Sequence, residues 1–146
     1  LKQLTGEGED VSPPLKWANL PEGTKELALI CEDPDAPTPE PWVHWVIYKI
    51  PANIDGLPEG IPQTARLKNP PGALQGLNSW AASGKPTYGY RGPMPPIGHG
   101  THHYYFTLCA LDTKLIIDPG DSKKGLIEEM QDHVLATAVL TGLYSR

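Results

Sequence analysis

With 146 residues the chain is sized for one domain with a proper core, and a formal net charge of −5 with no basic cluster argues against nucleic acid and acidic membrane surfaces as partners. No apolar run is long enough to span a bilayer. Fifteen glycines and seventeen prolines make a turn-heavy composition, which favours an all-β domain over a helical bundle.

The chain begins at Leu1 without a methionine, which leaves room for a leader or a first strand ahead of it. Polar residues through Gly6-Glu7-Gly8-Glu9-Asp10 and Ser12-Pro13-Pro14 predict loop, with a short strand entered over Leu15 to Trp17. Pro21-Glu22-Gly23 is a turn signal. Glu26 to Glu32 is a nearly continuous apolar run, short enough for a buried strand, with Leu27, Leu29 and Cys31 on a face with Asp33. Four prolines then follow between Pro34 and Pro41, and they forbid both helix and a regular ladder. Trp42 to Ile50 is rich in aromatic and β-branched residues and predicts a central strand. Strict alternation puts Trp42, His44, Val46, Tyr48 and Ile50 on one face, and Val43, Trp45, Ile47 and Lys49 on the other.

From Pro51 to Tyr88 the sequence reads as irregular chain anchored over Gln75 to Trp80, with Trp80 as a packing plug. Gly89, Gly92, Gly98 and Gly100, mixed with Pro93, Pro95 and Pro96, shape a loop that delivers the next strand, His102 to Leu111. On that strand His102, Tyr104, Phe106, Leu108 and Ala110 share a face running from polar mouth to apolar core. Asp121-Ser122 is an N-cap signal, and Leu126, Ile127, Met130 and Val134 recur at helical spacing, so a helix is predicted from Lys123 to about His133. Thr137 to Tyr144 closes the chain as an edge strand. Cys31 and Cys109 both fall in predicted strands and read as free, buried, small hydrophobes.

Two strands thus end beside proline-rich loops, and a third opens from one. If they are neighbours, Asp33, His44, His102 and Tyr104 converge, with Trp42 as an apolar wall. A carboxylate beside an imidazole favours the protonated ring, and two histidinium donors suit a phosphate or carboxylate. Tyr104 adds a neutral hydrogen bond, and Asp33 would meet a cationic part of the ligand. A zwitterionic head group such as phosphoethanolamine satisfies both signs. Zinc is set aside because adjacent His102 and His103 face opposite ways on a strand and no cysteine joins them. A hydrolase is set aside because Ser12, Ser79 and Ser83 have no nucleophile-elbow setting. His99 and His103 read as surface residues, and Asp35 serves equally as a turn cap.

Asp33-Pro34-Asp35-Ala36-Pro37, then Trp42-Val43-His44, then Gly92-Pro93-Met94-Pro95-Pro96 through Gly98 to His102, resemble the phosphatidylethanolamine-binding protein family. That family is also called the Raf kinase inhibitor proteins. Gly8-Glu9-Asp10-Val11-Ser12-Pro13-Pro14-Leu15 resembles its lead-in, so the likeness runs over nearly the whole chain in the compact bacterial or archaeal style. The resemblance implies a mainly β fold, an antiparallel β-sandwich with few peripheral helices, one of them near the C-terminus. It also implies a small anion pocket lined or framed by Asp33, Asp35, Pro37, Trp42, His44, Gly92, Pro95, His102 and Tyr104. His103 stands where the family commonly has Arg, which predicts a weakened ion pair behind the pocket, with Asp35 as its partner.

The resulting expectation is one such domain over residues 1–146 with an incomplete N-terminal edge. It binds a small anionic or zwitterionic ligand without catalysis, cofactor, metal or membrane insertion. The rival is an interaction module that inhibits a kinase or protease through the proline-rich rim. A homodimer is left open, and the expected location is cytoplasmic.

Overall fold

A computed structural model describes residues 2–146. The chain is mainly β, with two antiparallel sheets and, among the described residues, one α-helix near the C-terminus. The short strands β1 (Leu15–Lys16) and β4 (Gly56–Leu57) pair as a ribbon. The larger sheet holds β2 (Glu26–Asp33), β3 (Trp42–Pro51), β5 (Leu74–Gln75), β6 (His102–Leu111) and β7 (Val134–Tyr144) in the order β5-β3-β2-β6-β7. The continuous apolar run of β2 fits its place at the centre, where both faces are covered.

One face of the sheet packs Leu27, Leu29, Cys31, Trp45 and Ile47 against Leu57 of β4 and against Ile61 and Tyr90 of the irregular chain. The other packs Ala28, Ile30, Val46, Tyr48 and Leu111 against Leu115, Leu126 and Met130. The helix α1 (Lys123–Met130) thus closes the second face, and its start is where the sequence puts it: the Ser122 hydroxyl accepts from the Gly125 amide at 3.0 Å. Its end is earlier than predicted. Asp132 takes φ of 67°, and Val134, expected on the helix, pairs with Leu111 as the first residue of β7. Ladder hydrogen bonds to β6 outweigh helical spacing here.

Strict alternation fails twice in β3. Opposite β2 the register passes from Cys31↔Trp45 to Glu32↔Val43, leaving His44 as an extra residue. It slips again between Leu29↔Ile47 and Leu27↔Ile50, where Lys49 has φ of 55°. Each is a β-bulge, which turns the following side chains to the opposite face. Ile50 therefore packs on the face with Ile47, away from Val46 and Tyr48.

Gln75 ties down the long irregular segment. Wholly buried, it accepts from the Trp45 indole at 2.7 Å and donates to the carbonyls of Pro62 and Thr64, both at 2.7 Å. Every polar atom of that buried amide is used, so the loop is held as firmly as a strand. Cys31 and Cys109 are free and buried, and burial pushes both thiols up, which leaves them inert. Among the described residues no helix is long and apolar enough to cross a membrane.

Candidate functional site: a polar pocket at the mouth of the central strands

The bulge in β3 builds the site. Val43 and Val46 pack on the helix side of the sheet, while His44 lies against Tyr104, whose ring belongs to the other face, at a centroid distance of 5.1 Å. The extra residue is what lets His44 and Trp45 share a face. Trp42 pairs with Asp33 at the end of β2, and His102 opens β6 alongside. A cavity of about 320 Å³ opens between them, lined by Asp33, Pro37, Trp42, His44, Pro95, His102 and Tyr104, and also by Trp80 and Arg146.

Seven of the nine residues named from the sequence are on that wall. Asp35 and Gly92 are not. Asp35 is exposed and accepts from the His103 amide at 2.8 Å and from its Nδ1 at 2.7 Å. The pair expected to be weakened by His103 is therefore made, and His103 holds the Asp35 carboxyl below its ordinary value. Gly92 faces the N-terminal turn, where an added Cβ would lie 2.3 Å from the Leu4 carbonyl oxygen. Its amide donates to Asp10 at 2.8 Å, so its role is close approach of two backbones.

Asp33, His44, His102 and Tyr104 are all buried. One Asp33 oxygen accepts from the Asp35 amide at 2.8 Å, and the other is 2.6 Å from His102 Nδ1. The second nitrogen of His102 is also engaged, because His99 Nδ1 lies 2.7 Å from it. Sequence reasoning left His99 on the surface. It is exposed, yet it closes an Asp33–His102–His99 chain, and Gly98 and Gly100 on either side have φ of 76° and 92°. The glycines were legible in the sequence, but the direction of the ring between them was not.

His44 differs from His102. Its Nδ1 is 2.7 Å from the Arg91 carbonyl, and its Nε2 has no hydrogen-bond partner among the described residues. Burial pulls its pKa below the ordinary value, against the opposing pull of the Arg91 carbonyl and the Asp33 charge. The Tyr104 hydroxyl is buried with no hydrogen bond of ordinary geometry among the described residues, and burial, with the Asp33 carboxylate close by, pushes its pKa well up, so it is a neutral donor at any ordinary pH.

Two further wall residues escaped the sequence reading. Trp80 is half-buried on the wall, edge-on to both Trp42 at 5.4 Å and His44 at 5.1 Å. The Arg91 guanidinium lies over its ring, 5.0 Å from the centroid, so the ring is held and is no mere plug. Arg146 reaches the pocket from beyond β7 and donates through Nε to the Pro95 carbonyl at 2.5 Å. A wider recess of about 920 Å³ lies past Trp42, between the proline-rich loop and α1. It has no buried imidazole or carboxylate among its lining residues, whereas the smaller cavity has three such side chains, Asp33, His44 and His102.

Fold and site together define a class: an antiparallel β protein with a small, preformed, polar-floored pocket where its central strands end. The chain belongs to the phosphatidylethanolamine-binding protein family, which it matches over residues 1–145. It is 51% identical over 144 residues to a UPF0098 protein of Methanothermobacter thermautotrophicus, covering 99% of this chain and 89% of that one. It is 43% identical to the UPF0098 protein PH1269 of Pyrococcus horikoshii, over 99% of this chain and 69% of that one. Among solved structures, YbcL of Escherichia coli, described as a member of the mammalian PEBP family, matches with a TM-score of 0.86 at 38% identity, over 96% of this chain and 83% of that one. The PEBP homologue CT736 of Chlamydia trachomatis matches with a TM-score of 0.84 at 36% identity, over 100% of this chain and 88% of that one.

Proposed function

We propose that this protein is a non-enzymatic binding protein whose pocket takes a small phosphate- or carboxylate-bearing group, such as a phosphoethanolamine head. One observation carries this reading. The Tyr104 hydroxyl is buried and unpartnered on the wall of an open cavity, and an orphaned buried donor is costly unless a ligand satisfies it. Arg146 supplies positive charge on the same wall, and Asp33 suits the ammonium end of a zwitterion. Trp42, Trp80 and the prolines give the pocket fixed apolar sides.

The serines weigh against a hydrolase. Ser79 Oγ accepts from the Val43 amide, Ser12 Oγ from the Ile61 amide, and Ser83 donates to the Trp80 carbonyl. None of the three is on the pocket wall. The two free thiols agree with a reducing, cytoplasmic setting.

The test is titration with phosphoethanolamine while following the imidazole resonances of His44 and His102. A saturable shift is expected, and its absence at millimolar ligand would sink the reading. Ester turnover that disappears in His102→Ala would replace it with an enzyme. A second reading rests on the rim, where Met94 and Ile97 are 47% and 81% exposed beside the pocket. Those side chains would dock a protein partner, a kinase or protease, in competition with the ligand.

A further inference from the structure

The ligand class can be narrowed from the protons on the pocket wall, given the binding reading above. The Arg91 carbonyl can only accept, so the Nδ1 of His44 that sits 2.7 Å from it carries a hydrogen. A neutral His44 then offers a ligand the bare lone pair of Nε2. The groups around it come from every side: Asp33 at the end of β2, His102 and Tyr104 on β6, Arg146 beyond β7, Trp80, and the charge of Asp10 from the N-terminal turn. His102 cannot substitute as a free donor, since Asp33 and His99 hold both its nitrogens. The wall therefore presents donors in Tyr104 and in the Arg146 N–H groups not given to the Pro95 carbonyl, one of which has Glu7 at 3.9 Å, and acceptors in His44 Nε2 and Asp33.

An oxyanion without a hydrogen would set lone pair against lone pair at His44 Nε2, while Asp33 is left to the ligand's ammonium end. A single proton removes the conflict, whether it sits on the ligand oxygen or on Nε2. A phosphomonoester brings that proton readily, because its second pKa is about 6. Sulfate does not, and a carboxylate is ionised well below neutral pH. Rejecting an isostere by an unpaired acceptor is a strong form of discrimination.

We propose that the pocket takes its anion together with one proton, shared between His44 Nε2 and a ligand oxygen, and so selects singly protonated phosphomonoesters over sulfate and carboxylates. The balance is simple: the buffer acid gives up one proton, the phosphate dianion enters with it, and the N–H or O–H bond made in the pocket replaces the one broken on the buffer. Burial supports this assignment by holding ligand-free His44 in its neutral form at neutral pH.

The experiment is calorimetric titration of phosphoethanolamine and of sulfate into the whole protein, in two buffers of different ionisation enthalpy, between pH 5 and pH 8. At pH 7.5 phosphoethanolamine should take up close to one proton, and its Kd should rise about tenfold per pH unit above pH 7. Sulfate at pH 7.5 should bind at least about tenfold more weakly. His44→Gln keeps an amide donor that does not titrate, so uptake should fall near zero and the sulfate penalty should shrink. Uptake unchanged in that variant would show that the proton does not depend on His44 and overturn the proposal. If the variant does not fold, the native protein decides: binding without proton uptake, or sulfate as tight as phosphate, overturns it. Those results leave the pocket reading intact, whereas no binding of phosphoethanolamine, sulfate or acetate at any pH removes both.

Discussion

Two aspartate–histidine pairs stand side by side in this protein with nearly the same contact length. Asp33 meets His102 at 2.6 Å and Asp35 meets His103 at 2.7 Å. The Asp33 and His102 side chains are 4% and 2% exposed, while those of Asp35 and His103 are 40% and 45% exposed. Adjacent residues on a strand face opposite ways, and that alone separates the two histidines. What the difference teaches is that distance does not measure an ion pair. In the sealed pair, each group depends on the other for its hydrogen bond, because water cannot replace it. In the open pair, water replaces either partner at little cost.

The largest effect should come from breaking the sealed pair. His102→Ala leaves the Asp33 carboxylate buried without its partner, and a loss of about 3–5 kcal/mol in urea unfolding is expected. A loss as small as that of a surface pair would break the comparison.

A third imidazole sharpens it. His44 is buried with a carbonyl, and no carboxylate, on Nδ1, and burial lowers its pKa from an ordinary value of 6.5. The unfolded chain therefore binds a proton at His44 before the folded protein does. The stability this contributes is complete above pH 6.5 and is lost as the pH falls through the lower folded value. Urea midpoints of the ligand-free protein should drop between pH 7.5 and pH 5, and by less in His44→Gln. An equal drop in both would assign the acid sensitivity elsewhere.

Tyr104→Phe separates binding from stability at the same wall. Removing a buried hydroxyl that has no partner should leave the unfolding midpoint unchanged or slightly raised, while phosphoethanolamine affinity falls about tenfold. A clear destabilisation would show that the hydroxyl has a structural partner. The smallest effect belongs to the open pair: His103→Ala should cost at most about 1 kcal/mol and should cost less in high salt. An effect matching that of His102→Ala would erase the distinction.

The sequence by itself determined the long strands and the family, but not the two-residue strands β4 and β5 inside the stretch that reads as irregular. The unbroken apolar run of β2, the aromatic and β-branched β3, the Ser122 cap and the glycine–proline loop into β6 are local signals. They act through neighbouring residues, so they can be read without partners. Four wall residues were likewise legible as a set, Asp33, His44, His102 and Tyr104, because each ends or opens a strand beside a proline-rich loop.

Only the tertiary structure decided how those residues meet. Alternation along β3 keeps Trp45 on the face opposite His44. The bulge that brings them together exists because β2 offers one residue fewer across the ladder, which is a property of the pair of strands and of neither alone. The same holds for Arg146 arriving from the far end of the chain and for Gly92 serving the N-terminal turn. Each is a contact between segments distant in sequence, and no local pattern encodes a partner that the fold has yet to bring near.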